Sequence, residues 1–268
     1  MKKWSRKSAK AFLIILAAAG LVLSGCGGQE NETSVPVSDD GEAGAEDIAE
    51  EQTSTGLAYE TAEDTLVDIG ALQEENPDVF GWLYIPGTDI DLPVLQNKAE
   101  DDYYESHNAY GETSNEGALY IELANRDNMC DFNTVIHGKC SEDGEEGTFA
   151  QLYRFADPDF FKTHENVYLY LDRNLLTYEI FAAYEREDTS LIRTYDFTYM
   201  SGCQEFLDDL YGTRQMSMNL REGWEGMTPY HFLITLSATK GENPDNQFVV
   251  VAALTGDAAG TIDRLVYE

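Results

Sequence analysis

Between residues 80 and 254 the chain breaks into apolar runs of four to eight residues, separated by Pro, Gly, Asn and Asp. Runs of that length and punctuation are strands, and many of them closely spaced call for a sandwich or a closed barrel. The spacing predicts strands at 80–85, 92–95, 117–122, 132–138, 167–171, 177–184, 230–236 and 248–254. A short polar-aromatic helix or turn is expected at 101–107. Two stretches have helical spacing instead: 65–75, with Leu66, Val67, Ile69 and Leu72, and 202–211, with Phe206 and Leu210 four apart. Asn76-Pro77 closes the first of these. The expectation is a mainly β domain, a barrel with an N-terminal helix and a second helix before the last two strands.

Apolar residues make up 43% of the 268-residue chain, enough for one sizeable core. Seventeen basic residues against fifty acidic ones give a formal charge of −33. Nothing on such a chain offsets a phosphate backbone, so nucleic acid is excluded as a partner. Four cysteines are too few for a disulfide scaffold of this length, and four histidines leave little room for a metal centre. No cofactor or metal is expected.

The first residues have a different character. Lys2, Lys3, Arg6, Lys7 and Lys10 precede a small and apolar run, 11–23, too short to span a bilayer as a helix. The run ends in Leu23-Ser24-Gly25-Cys26, which resembles a bacterial lipobox. That resemblance implies cleavage before Cys26, acylation of its thiol, and residence on the outer face of the cytoplasmic membrane. Residues 27–64 hold twelve acidic residues and no basic one. This composition is that of a solvated tether. The organisation expected is a lipoprotein signal peptide at 1–25, an acidic disordered tether at 26–64, and one folded domain at 65–268.

Five segments of that domain, in one order, carry a resemblance to a known family. They are NPDVFGWLYIPGTDIDLPVLQ from Asn76, DDYYESHNAYGE from Asp101, DFNTVIHGK from Asp131 with GTFAQLYRFADPDFF after it, LTYEIFAAY from Leu176, and ITLSATKGENPDNQFVVVAAL from Ile234. Together they resemble a class B sortase. The resemblance implies an eight-stranded barrel and an extracellular cysteine transpeptidase of Gram-positive bacteria. Such an enzyme cleaves a sorting-signal peptide and joins it to a cell-wall or pilus amine.

The resemblance also implies three catalytic positions, and this chain departs from all of them. The family's Cys ends a Thr-Leu-Ser-Thr-Cys strand; Thr239 ends Thr235-Leu236-Ser237-Ala238-Thr239. The family's His follows an apolar strand and Tyr-Gly; Lys139 follows His137-Gly138. The family's Arg opens the last strand, where Gln247 stands. A Thr hydroxyl needs a strong base, which a thiol needs far less. An ammonium donates hydrogen bonds and accepts none, and a carboxamide carries no charge for an oxyanion. In the resemblance's frame Lys139, Thr239 and Gln247 converge on one side of the barrel.

The reading that follows is a surface lipoprotein without an intact transpeptidase centre. It would bind a sorting-signal peptide or a surface, pilus or sortase partner. The rival is an active sortase-type transpeptidase built on another centre. Candidates are a Ser237–Lys139 or Thr239–Lys139 pair, His137 as base, or a displaced thiol at Cys140 or Cys203. A lipoprotein that recognises a wall component is a third reading. Cys130 and Cys140 flank a strand too long for a disulfide between them if it stays extended. His137, Cys140 and Cys130 lack a convincing zinc spacing.

Overall fold

The computed structural model describes residues 67–141, 146–213, 218–240 and 246–260. The segments expected to be a lipobox ending in Cys26 and an acidic tether lie outside the described residues. Among the described residues nine strands form one sheet: β1 Val79–Tyr84, β2 Asp91–Leu95, β3 Leu119–Tyr120, β4 Asn133–Cys140, β5 Asn166–Leu171, β6 Asn174–Glu187, β7 Asn219–Leu220, β8 Leu233–Lys240 and β9 Asn246–Asp257. The hydrogen-bonded order is β5-β1-β2-β3-β4-β8-β9-β6-β7, and β5 also pairs with β6. That last pairing closes eight strands into a barrel and leaves β7 attached outside it on Ala182 and Ala183 of β6. Closure removes free strand edges from the eight.

Strand β6 makes the closure possible. It is long enough to pair with both β5 and β9, and its register with β9 shifts at Thr177/Tyr178 and at Ile180/Ala182. Irregularities of this kind bend a strand and raise its twist. The barrel interior is filled by alternating residues: Ile136, Leu236, Ala238, Phe248 and Val250 belong to one buried cluster with Leu83, Phe149 and Leu169. On the opposite face of the same strands, Val135, Val249 and Val251 lie under Phe206, Leu207 and Leu210 of a helix.

Among the described residues four α-helices decorate the barrel: α1 Ile69–Glu75, α2 Pro158–Thr163, α3 Leu191–Thr194 and α4 Met200–Gly212. Helix α1 starts later than the apolar spacing suggests because the Asp68 side chain accepts the Ala71 N–H, 2.9 Å, and so takes the N-cap. The two short helices α2 and α3 and the two-residue β7 have no counterpart in the sequence reading. Each is too brief to show a period. The strand expected at 117–122 shrinks to Leu119–Tyr120, and the one expected at 230–236 begins at Leu233 and runs on to Lys240. Tyr230 and His231 are spent on a turn in which His231 N–H bonds Thr228 O, 3.1 Å.

Candidate functional site

Strands β4 and β8 are parallel and pair in register, Lys139 with Thr239 and His137 with Ser237. Strand β9 runs antiparallel to β8 and sets Gln247 opposite Thr239; β6 then sets Arg186 opposite Gln247. Neighbouring strands lie about 4.8 Å apart, so Lys139 and Gln247 are separated by about 10 Å of backbone. Ala238 and Phe248 fill the interior, so their neighbours Thr239 and Gln247 project outward. The three positions form one row on the outer face of the barrel.

Each member of the row already has a partner or a constraint. Lys139 Nζ lies 3.4 Å from Glu105 Oε1, an ion pair reaching from the segment between β2 and β3. Gln247 is only 4% exposed. Its Oε1 accepts the Ser237 hydroxyl. Its Nε2 donates to Thr189 O at 2.9 Å and Glu187 O at 3.3 Å. Arg186 bonds the same residue, Nη1 to Thr189 O at 2.6 Å and Nη2 to Thr189 Oγ1 at 3.0 Å. Two side chains of adjacent strands thus clamp the turn after β6 through Thr189. Thr239 is half-buried and lines a cavity of about 200 Å³ together with Glu105, Tyr120, His137, Lys139 and Asp188.

His137 occupies the other half of this cavity. Its ring stacks on Tyr120, its cross-strand neighbour, with centroids 5.1 Å apart. Its Nε2 lies 3.3 Å from Glu122 Oε1, a close polar contact whose angles fall short of a hydrogen bond. The imidazole is the main reason that the Glu122 carboxyl is held below the usual range, against the opposing effect of burial. Asp188 is shifted the other way. Burial raises it and Glu105 adds to the rise, while Arg186 and His137 oppose it.

The chemistry open to this arrangement follows from those contacts. A hydroxyl nucleophile needs a base within about 2.6–3.2 Å. The ammonium beside Thr239 is directed at Glu105, and the Gln247 carboxamide has both its polar ends occupied. Ser237 is 0% exposed and its proton is committed to Gln247. Cys140 and Cys203 are both buried, while Cys130 is half-buried; none of the three is in a disulfide. Cys130 lines a separate cavity of about 490 Å³ with Arg126, Asp131, Ile192 and Phe197, beside the start of β4. Among the described residues no group of three or more His, Cys, Asp or Glu is placed to hold a metal ion.

Sequence reasoning singled out Lys139, Thr239, Gln247, Ser237, His137 and Cys140. It missed Glu105, Glu122, Asp188, Arg186 and Thr189. Glu105 sits in a segment that carries the resemblance, but its meeting with Lys139 depends on a long-range fold contact. The Arg186–Thr189–Gln247 clamp depends on strand register, and nothing local signals it.

No family model matches the chain. Listeria monocytogenes sortase B is 35% identical over 153 residues, which is 55% of this chain and 57% of that protein. Staphylococcus aureus sortase B is 26% identical over 140 residues, 52% of this chain and 56% of the relative. The chain therefore spans little more than half the length of the curated relatives it matches. Among solved structures, a Cys-to-Ser variant of Clostridium perfringens sortase B has a TM-score of 0.61 at 26% identity, covering 70% of this chain and 86% of its own. The Staphylococcus aureus sortase B–substrate complex has a TM-score of 0.60 at 23% identity, covering 70% of this chain and 84% of its own, and shares the fold. Curated and structural neighbours alike point to the class B sortase family.

Proposed function

We propose that this chain, with its class B sortase-type barrel, is a binding protein that no longer runs cysteine transpeptidation. Its occupant is a sorting-signal-like peptide or a surface, pilus or sortase partner. It works at the outer face of the cytoplasmic membrane, held by lipid on Cys26. The observation that carries this reading is the outer row of β4, β8 and β9. At the three places where the family resemblance puts His, Cys and Arg stand an ion-paired Lys139, the hydroxyl of Thr239 and a fully bonded Gln247. A thiolate is the nucleophile the family chemistry needs, and no described thiol lies in this row.

The test is incubation with a sorting-signal peptide and an amine acceptor, followed by mass spectrometry. The expected result is retention of the peptide without cleavage. Turnover that disappears in Thr239→Ala or Ser237→Ala would establish a hydroxyl–lysine enzyme instead. Turnover that depends on Cys140 or Cys203 would show a displaced thiol. The anchor is tested separately: membrane-extracted protein should begin at an acylated Cys26, and an unmodified start elsewhere removes that part of the reading.

A further inference from the structure

The 200 Å³ cavity beside Thr239 has a neighbour of about 510 Å³, lined by Ser114, Glu116, Cys140 and Glu146. Glu105 and Lys139 line both. Their ion pair is therefore the partition between two halves of one surface depression along the end of β4. The geometry points to a built-in strap: the Glu105–Lys139 pair is an autoinhibitory contact that a ligand lying across both cavities has to open. This rests on the peptide-binding reading above and adds a regulation to that site.

Three observations give the strap its properties. Glu105 rides on a 3-10 turn, Tyr103–Glu105, whose middle residue is nailed down: Tyr104 is buried, donates its hydroxyl to Asp78 Oδ2 at 2.8 Å and accepts from Asn76 Nδ2 at 2.8 Å. The Tyr104 carbonyl accepts Ala118 N–H at 2.9 Å, and Gly117, at φ +65°, packs so closely that a Cβ would stand 2.6 Å from that carbonyl oxygen. The backbone carrying Glu105 is thus fixed, and opening is a swing of two flexible side chains. The pair itself is partly in water, with the side chains 24% and 50% exposed for Lys139 and Glu105. Exposed pairs of this kind are weak, so the strap tunes affinity and does not lock the groove. Once open, it frees the ammonium on β4 for the ligand that displaced the Glu105 carboxylate.

The experiment uses the full chain with its lysines reductively 13C-methylated, the Lys139 signal being assigned by its loss in Lys139→Arg. That signal should shift in Glu105→Gln and in 1 M salt, where the screening length is about 3 Å. Binding of a fluorescein-labelled sorting-signal peptide, of the kind class B sortases cut, is measured in parallel by anisotropy. Glu105→Gln should tighten binding roughly two- to fivefold, the range set by the strength of an exposed pair. A Lys139 signal indifferent to both Glu105→Gln and salt overturns the strap. Unchanged peptide affinity in Glu105→Gln, with binding otherwise intact, overturns it while the peptide reading stands. Absence of binding to either protein, with a Glu105-dependent Lys139 signal, removes the peptide reading and reduces the pair to a structural contact, which also overturns the strap.

Discussion

Two neighbouring rows on the same three strands differ in what fixes them. The inner row is Gly138, Ala238 and Phe248; the outer row, one residue further on each of β4 and β8 and one back on β9, is Lys139, Thr239 and Gln247. The inner row is set by volume. A Cβ on Gly138 would stand 2.5 Å from Phe149 Cδ2, and Phe248 stacks on Tyr153 at 4.7 Å between centroids. The outer row is set by polar partners, and those partners come from other parts of the chain. The first row fills the barrel, while the second binds the barrel's outer face to the turn after β6. The barrel is thus specified by one row and the surroundings of the candidate site by the other.

The largest effect should come from breaking the inner row. Phe248→Ala should cost about 3–5 kcal/mol of unfolding free energy by urea denaturation, the range for deleting a buried aromatic ring. A cost near that of an exposed substitution would mean that the barrel is not filled as described. Gly138→Ala tests the same row by addition. The overpacking against Phe149 should cost about 1–3 kcal/mol.

Next comes the outer row, where loss is polar. Gln247→Leu leaves the Ser237 hydroxyl, which is fully buried, and the Thr189 carbonyl, on an exposed residue, with one partner fewer. The expected cost is about 1–3 kcal/mol. Hydrogen exchange should rise at residues 187–190 and stay unchanged in the barrel interior. The same clamp bears on restoring the family's residues. In the triple change Lys139→His, Thr239→Cys, Gln247→Arg, the new guanidinium enters beside Arg186 and removes the amide that holds Thr189. Slow turnover from the triple variant is expected only if Thr189 finds another partner, and catalytic groups that act as a unit should give more together than singly. Thr239→Cys alone should leave stability within about 0.5 kcal/mol and give no product, since no imidazole stands at Lys139 to draw off the thiol proton.

What could be read from the sequence divides along the same line. Strand existence and the helix with Phe206 and Leu210 were legible, because period is a local property, and so was the placing of Lys139, Thr239 and Gln247 at the ends of neighbouring strands. Closure through β5–β6 was expected from the resemblance and rests physically on two register shifts in β6 that no residue pattern announces. The surroundings of the site were not legible. Glu105 reaches Lys139 across more than thirty positions of chain. His137 did not read as the partner of Glu122, because β3 brings them together through only two residues, Leu119 and Tyr120.

The smallest effect separates two carboxyls that face this site with opposite shifts. Glu122 is held below its ordinary value of 4.5, chiefly by His137. Its ionised form is favoured in the fold, so its contribution is present above that value and is lost as pH falls through the lowered one. Glu122→Gln should lower Tm at pH 7, with the deficit closing in acid. Asp188 is raised above its ordinary 3.8, chiefly by burial, with Glu105 adding to the rise and Arg186 and His137 opposing it. Its ionised form is disfavoured in the fold, so its charge costs stability above the raised value, and the cost fades as pH falls towards 3.8. Asp188→Asn should therefore raise Tm slightly at pH 7, and the two melting curves should coincide near pH 3. Because Asp188 is largely in water the gain will be a small one, readable only as a difference between matched melts. A loss of Tm at pH 7 in Asp188→Asn would place Asp188 among the residues that hold the outer row together, alongside Gln247, instead of among those its burial strains.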